Sequence, residues 1–182
     1  MSRAATVERD ERLRLFLALE LPEPAVEALR SWGQSSLSGG RSLESLHVTL
    51  AFLGSQPRSQ LEGILGALRE EAAVTKSFTL VPTRYRETRS VGMLVLEDPS
   101  GEAARLADGL QRRLEELGCY RRERRPWLPH VTVLRFRERP RLTPPLPELE
   151  PFTPSAAAAF LSRLHPSGAR YEILERRPLG GG

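Results

Sequence analysis

Residues 46–52 read LHVTLAF, and residues 129–136 read PHVTVLRF. Each is a short apolar run entered from a loop. Each carries the same tripeptide, His47-Val48-Thr49 and His130-Val131-Thr132. Side chains alternate across a strand, so positions i and i+2 share a face. His47 and Thr49 therefore point one way and Val48 the other, into a helix-covered core. His130 and Thr132 repeat this around Val131. Two such strands in facing lobes would put two imidazoles on opposite walls of one cleft.

That pairing suits in-line displacement at phosphorus. One group takes a proton from the nucleophile, and another gives a proton to the leaving oxygen. Histidine titrates near neutrality and can do either. The threonine hydroxyls, with an arginine or backbone N–H nearby, would hold the non-bridging oxygens. A lone His-x-Thr on an apolar strand is usually a hydrogen-bonded structural histidine; the repetition is what points to chemistry. No metal is required. Cys119 is the single cysteine, which excludes an internal disulfide and a cysteine-built metal site. The third histidine, His165, falls in the turn HPSGA and reads as a surface residue.

Outward from the two strands, the pattern predicts α+β with mostly antiparallel sheet and outer helices. Leu13–Leu21 reads as a strand ended by Pro22 and Pro24, and Ala25–Trp32 as a helix. SSLSGGRS (35–42) reads as a loop. The first His-Val-Thr strand spans Leu46–Leu53 and closes at Gly54. Arg58–Val74 and Glu102–Leu117 have apolar residues at helical spacing, and Gly118 stops the second. Phe78–Arg84 and Val91–Glu97 are strands. The second His-Val-Thr strand covers 130–136. Residues 140–151 are too proline-rich for regular structure. Ala156–Leu164 and Tyr171–Leu174 form a hairpin.

The 182 residues, 40% hydrophobic and 27% charged, suit a single bilobal domain over 1–182, with 1–11 and 180–182 flexible. The start, MSRAATVERDERL, has acids and no apolar core, so it is not a signal peptide, and no apolar run has transmembrane length. A cytoplasmic location follows by default, and nothing implies an obligatory protein partner. The net charge is +4 and the pI about 9.9. Lys76 is the only lysine. Arg121, Arg122, Arg124 and Arg125 precede the second motif, and Arg135, Arg137, Arg139 and Arg141 follow it. Such a basic rim would attract polyanions, RNA above all.

In these residues the chain resembles the 2H phosphoesterases, in particular the RNA 2′,3′-cyclic phosphodiesterases formerly called 2′-5′ RNA ligases (LigT type). The paired motifs are HVTL (47–50) and HVTV (130–133). LRLFLALELP, SLHVTLAFLG, RPWLPHVTVLR and LSRLHPSGARYEIL resemble further blocks of that family, so the likeness covers roughly residues 12–179. It implies two pseudo-symmetric lobes around a central cleft, no cofactor, and RNA ends or cyclic nucleotides as substrate. It implies His47 as general acid and His130 as general base, with Thr49 and Thr132 on the phosphate. Arg135 matches an arginine that the family carries after its second motif. Strict alternation would turn Arg135 away from the cleft unless the strand bulges. Phe52 holds the equivalent place after the first motif, to stack on a base or to fill the core, and Arg125 is a candidate substrate contact. Ser45, Met93 and Leu128 stand where the family commonly has asparagine, tryptophan and a polar or basic residue. The leading reading is metal-independent opening of RNA 2′,3′-cyclic phosphate to a 2′-phosphomonoester. Its rivals are ligation or cleavage of 2′-5′ linkages and a non-catalytic RNA- or nucleotide-binding module.

Overall fold

A computed structural model describes residues 10–180. Of the termini expected to be flexible, 1–9 and 181–182 lie outside the described residues. Asp10 and Glu11 are engaged: the Asp10 carboxylate accepts from the Ser59 hydroxyl, and Glu11 pairs with Arg58.

Among the described residues, eight strands form one antiparallel sheet, with three α-helices. The strands are β1 (Arg12–Glu20), β2 (Arg41–Ser42), β3 (His47–Pro57), β4 (Val81–Glu87), β5 (Val91–Glu97), β6 (His130–Arg135), β7 (Ala156–His165) and β8 (Gly168–Arg177). The helices are α1 (Glu23–Ser36), α2 (Leu61–Val74) and α3 (Glu102–Glu116). The sheet order is β4-β5-β6-β3-β1-β7-β8, with β2 beside β6. The two halves are joined through one continuous sheet, and the two His-Val-Thr strands are neighbours at its centre. They pair in register only at Val48–Val131. Past that point β2 takes over the edge of β6, Arg41 opposite Arg135 and Ser42 opposite Leu134. The halves therefore meet along a short seam.

Burial explains the layering. On β1, Leu13, Leu15, Leu17 and Leu19 face the helices and join the main core. Phe16 and Ala18 face the other way and join Ala158 and Phe160 of β7 in a small second cluster. Strand β1 is sandwiched between β3 and β7, and its buried stretch Leu15–Leu19 is apolar on both faces, as a stretch covered on both sides must be. Pro24 sits in the first turn of α1, where its missing N–H costs nothing. On α3, Ala103, Leu106, Leu110 and Leu114 form a buried stripe. Among the described residues, no helix is long and apolar enough to cross a membrane.

The proline-rich segment 140–151 forms no helix or strand, as expected. It is held as a strap. The Trp32 indole N–H of α1 donates to the Pro145 carbonyl at 2.8 Å. Glu87, at the end of β4, receives the Arg139 guanidinium at 3.0 Å and the backbone N–H groups of Arg141 and Leu142 at 3.0 and 2.8 Å. Tyr85 donates its hydroxyl to the same carboxylate. Burial alone would push this carboxyl up, but the hydrogen bonds outweigh burial and hold it below its ordinary value.

Candidate active site

The stretches His47–Phe52 and His130–Arg135 share one pattern of burial: the histidine and threonine partly open, the intervening valine buried, two further buried residues, then an exposed one. The shared cause is a β-bulge just after each threonine. In β3, Thr49 faces Ala18 and Ala51 faces Leu17, so Leu50 is the extra residue. In β6, Thr132 faces Met93 and Leu134 faces Gly92, so Val133 is the extra one. A bulge shifts the alternation by one residue. Phe52 and Arg135 therefore return to the same face as the histidines and threonines. This is how Arg135 reaches the cleft despite its odd spacing from His130.

A bulge also leaves backbone groups without ladder partners, and buried ones must be satisfied. The Trp127 indole N–H donates to the Thr49 carbonyl at 3.0 Å. The Gln111 side chain, buried on α3, donates to the Leu50 carbonyl at 2.8 Å. In the other half the Leu43 N–H donates to the Val133 carbonyl at 3.2 Å. Sequence reading missed Gln111. Its signal was a polar residue in an apolar slot of the α3 stripe.

Antiparallel register around Val48–Val131 sets His47 across from Thr132 and Thr49 across from His130. The two imidazoles are close enough that a charge on His130 lowers the pKa of His47. His130 points its Nδ1 at the Leu128 carbonyl, 2.8 Å away. A carbonyl only accepts, so Nδ1 carries the proton and Nε2 keeps its lone pair. The Leu128 side chain plays no part in this. His47 sits differently. Its ring lies 4.9 Å from Phe16, 5.9 Å from Phe160 and 5.9 Å edge-on from Tyr171, centroid to centroid. Its Nδ1 is buried without a hydrogen-bond partner. The Ser45 carbonyl, two residues back as Leu128 is from His130, is near enough to raise its pKa but does not complete a hydrogen bond. Burial first, then His130 and Arg135, bring His47 down to about 4.

This shift predicts acid sensitivity. The unfolded chain protonates His47 near its ordinary value of 6.5, the folded chain only near 4. Between those values the unfolded state binds more protons, so stability is lost as pH falls through that window, by about 3 kcal/mol in all. Glu87 and Glu175, both held below their ordinary 4.5, act lower down. Urea titrations at pH 7 and pH 5 should show about 2 kcal/mol of this loss in the wild type and a flatter response in His47→Gln. Equal pH slopes for the two proteins would rule the effect out.

The cleft in front of the seam has a volume of about 890 Å³. His47, Thr49, Phe52, Thr132 and Arg135 line it. His130 stands beside them at the seam without lining the cavity itself. Phe52 is 52% exposed, with the Arg14 guanidinium 5.1 Å from its ring centroid. It is not a core residue. Arg125 is exposed on its loop and does not line the cleft. Its neighbour Arg122 is paired with Asp108, and Arg139 with Glu87. The cleft's cations are instead Arg14, Arg41, Arg135 and Arg170. Three of these sequence reading missed. Arg14 shares a β1 face with Phe16, Arg41 comes from β2 in the loop that leads into the first motif, and Arg170 comes from β8, far from both motifs in sequence. His165 is exposed, bonded through Nδ1 to Ser167. Among the described residues, no three His, Cys, Asp or Glu cluster as a metal site would need.

One antiparallel sheet that brings two His-x-Thr strands together over a cationic cleft defines the class of two-histidine phosphoesterases. The model of the 2′-5′ RNA ligase superfamily matches residues 19–164, and the chain belongs to that family. The RNA 2′,3′-cyclic phosphodiesterase of Thermus thermophilus is 31% identical over 93% of this chain and 91% of its own length. That of Escherichia coli K12 is 30% identical over 69% of this chain and 73% of its own. The crystal structure of E. coli LigT complexed with 3′-AMP superposes with a TM-score of 0.81 at 25% identity, covering 93% of this chain and 99% of that one.

Proposed function

We propose that the protein opens the terminal 2′,3′-cyclic phosphate of RNA to a 2′-phosphomonoester, with His130 as general base and His47 as general acid. The juxtaposition of two unlike histidines at one seam carries this reading. His130 presents a free Nε2 lone pair, suited to take a proton from water. Water oxygen attacks phosphorus, the P–O3′ bond breaks, and His47 protonates the departing O3′. The product is a 2′-phosphate with a free 3′-hydroxyl, and the two imidazoles have exchanged protonation states. Thr49, Thr132 and Arg135 hold the non-bridging oxygens, where charge grows. Phe52 offers a face for the terminal base. The relatives named above, both RNA 2′,3′-cyclic phosphodiesterases, support the substrate class.

The family's name preserves a second reading: with a 5′-hydroxyl in place of water, the same two histidines would form a 2′-5′ linkage. The deciding experiment is turnover of an RNA oligomer ending in a 2′,3′-cyclic phosphate, in excess EDTA, with the product isomer identified. We expect turnover and a 2′-phosphate. A 3′-phosphate would reverse the assigned polarity, and loss of activity in EDTA would overturn the metal-free mechanism. Nucleotide binding without turnover would favour the binding-module reading.

A further inference from the structure

A group that must donate a proton is held, in the free protein, where it is least able to carry one. The cause is structural. His47 belongs to β3, but two of the three rings around it come from the C-terminal hairpin, Phe160 from β7 and Tyr171 from β8. Phe16 and Phe160 stack at 4.8 Å with 3° between their planes, and Tyr171 meets Phe16 edge-on at 5.0 Å. The rings cover much of the imidazole while its cleft-facing edge stays open, and its buried Nδ1 has no hydrogen-bond partner.

The charged surroundings complete the picture. From β6, His130 and Arg135 both oppose a proton on His47. From β1, Glu20 is its register partner, but that carboxylate is bound by Arg176. From β7 and β8 the rings of Phe160 and Tyr171 flank the imidazole. Arg14, Arg41, Arg170 and Glu44 line the same cleft. An anion entering between Arg135 and the imidazoles would reverse the local field, and the proton that was disfavoured becomes favoured.

We propose that Phe160 and Tyr171 are positioning residues that keep His47 unprotonated until a phosphate anion occupies the cleft, so that the acid is charged by its own substrate. This rests on the two-histidine reading for its purpose, but its test needs no turnover.

The test is an NMR titration of histidine-labelled full-chain protein between pH 8 and pH 5, with and without saturating inorganic phosphate. Resonances are assigned through His130→Gln and His165→Gln. In the free wild type His47 should stay neutral throughout. With phosphate it should gain about one proton within that range. In Phe160→Leu and Tyr171→Ala, with the titration carried on to pH 3.5, the midpoint of free His47 should rise by about one unit and the phosphate-dependent rise should shrink. Tyr171 is 36% exposed, so its removal does not empty the main core, and the second variant stands if the first folds poorly. A His47 midpoint unmoved by both substitutions, or unmoved by phosphate, would overturn the proposal. The expected titration in a protein that does not turn over cyclic phosphate would leave it standing and remove the enzyme reading instead.

Discussion

His130→Ala should lower kcat about 10²- to 10⁴-fold, the range a positioned general base contributes, while KM changes only a few-fold. His130 begins β6 with a partly open side chain, and its one hydrogen bond is to the Leu128 carbonyl. Truncation lets water reach that carbonyl and leaves the Val48–Val131 pairing intact. The variant should therefore fold as the wild type does. His47→Ala should lose as much activity but behave differently otherwise. It empties a ring-lined site and removes the group responsible for sensitivity below pH 6.5. The wild-type rate should be bell-shaped in pH, since one imidazole must hold a proton and the other must lack one. Steady-state kinetics on an RNA 2′,3′-cyclic phosphate decide the matter. A kcat near wild type in either variant would remove that histidine from the mechanism.

The largest expected effect on stability lies away from the cleft. Glu87→Ala should cost about 2–4 kcal/mol, since it leaves two backbone N–H groups and a part-buried hydroxyl without their acceptor, while the Arg139 guanidinium is exposed enough to be hydrated. The Glu87 side chain is only 2% exposed and serves four donors. Without it the N–H groups of Arg141 and Leu142 lose their acceptor, and the Arg139 guanidinium and the Tyr85 hydroxyl lose theirs. Arg141 is also held at φ 57°, a left-handed conformation that a non-glycine residue keeps only when its surroundings insist. The melting temperature should fall by roughly 10 °C for a chain of this size. Glu87→Gln keeps acceptor oxygen and should lose markedly less. Thermal melts of the two variants measure this, and an alanine variant within 1 °C of wild type would show that the strap holds itself.

Much of the architecture was legible because it rests on local patterns. Val91–Glu97 was read to its observed limits, and α3 to within one residue. Alternation located the histidines and threonines on one face of each motif strand. What it could not locate were register and irregularity. Strand β3 runs on to Pro57, past the expected stop at Gly54, because Gly54 adopts φ 65° and still pairs with Leu15. Strand β4 begins at Val81 and ends at Glu87, three residues later at each end than expected. Strand β8 reaches from Gly168 to Arg177, although its mostly exposed, charged residues give little apolar signal. The bulges at Leu50 and Val133 decide whether Phe52 and Arg135 face the cleft, and they depend on partners far away, Trp127, Gln111 and Leu43. The basic loop was conspicuous as a run of arginines. Of the arginines that do line the cleft only Arg135 stood out, beside its motif; Arg14, Arg41 and Arg170 were inconspicuous, because folding alone gathers them there.

The repeated six-residue pattern about Val48–Val131 gives the cleft a local two-fold, yet a nucleotide has no such symmetry. A perfectly two-fold site would accept its substrate in either of two orientations and release a mixture of isomers. Here the degeneracy is lifted at two places. The sixth position of the pattern is an aromatic ring in one half and a guanidinium in the other. One histidine is enclosed by rings while the other is tethered to a carbonyl. A duplicated scaffold thus acquires a direction, set by the few residues where its copies disagree.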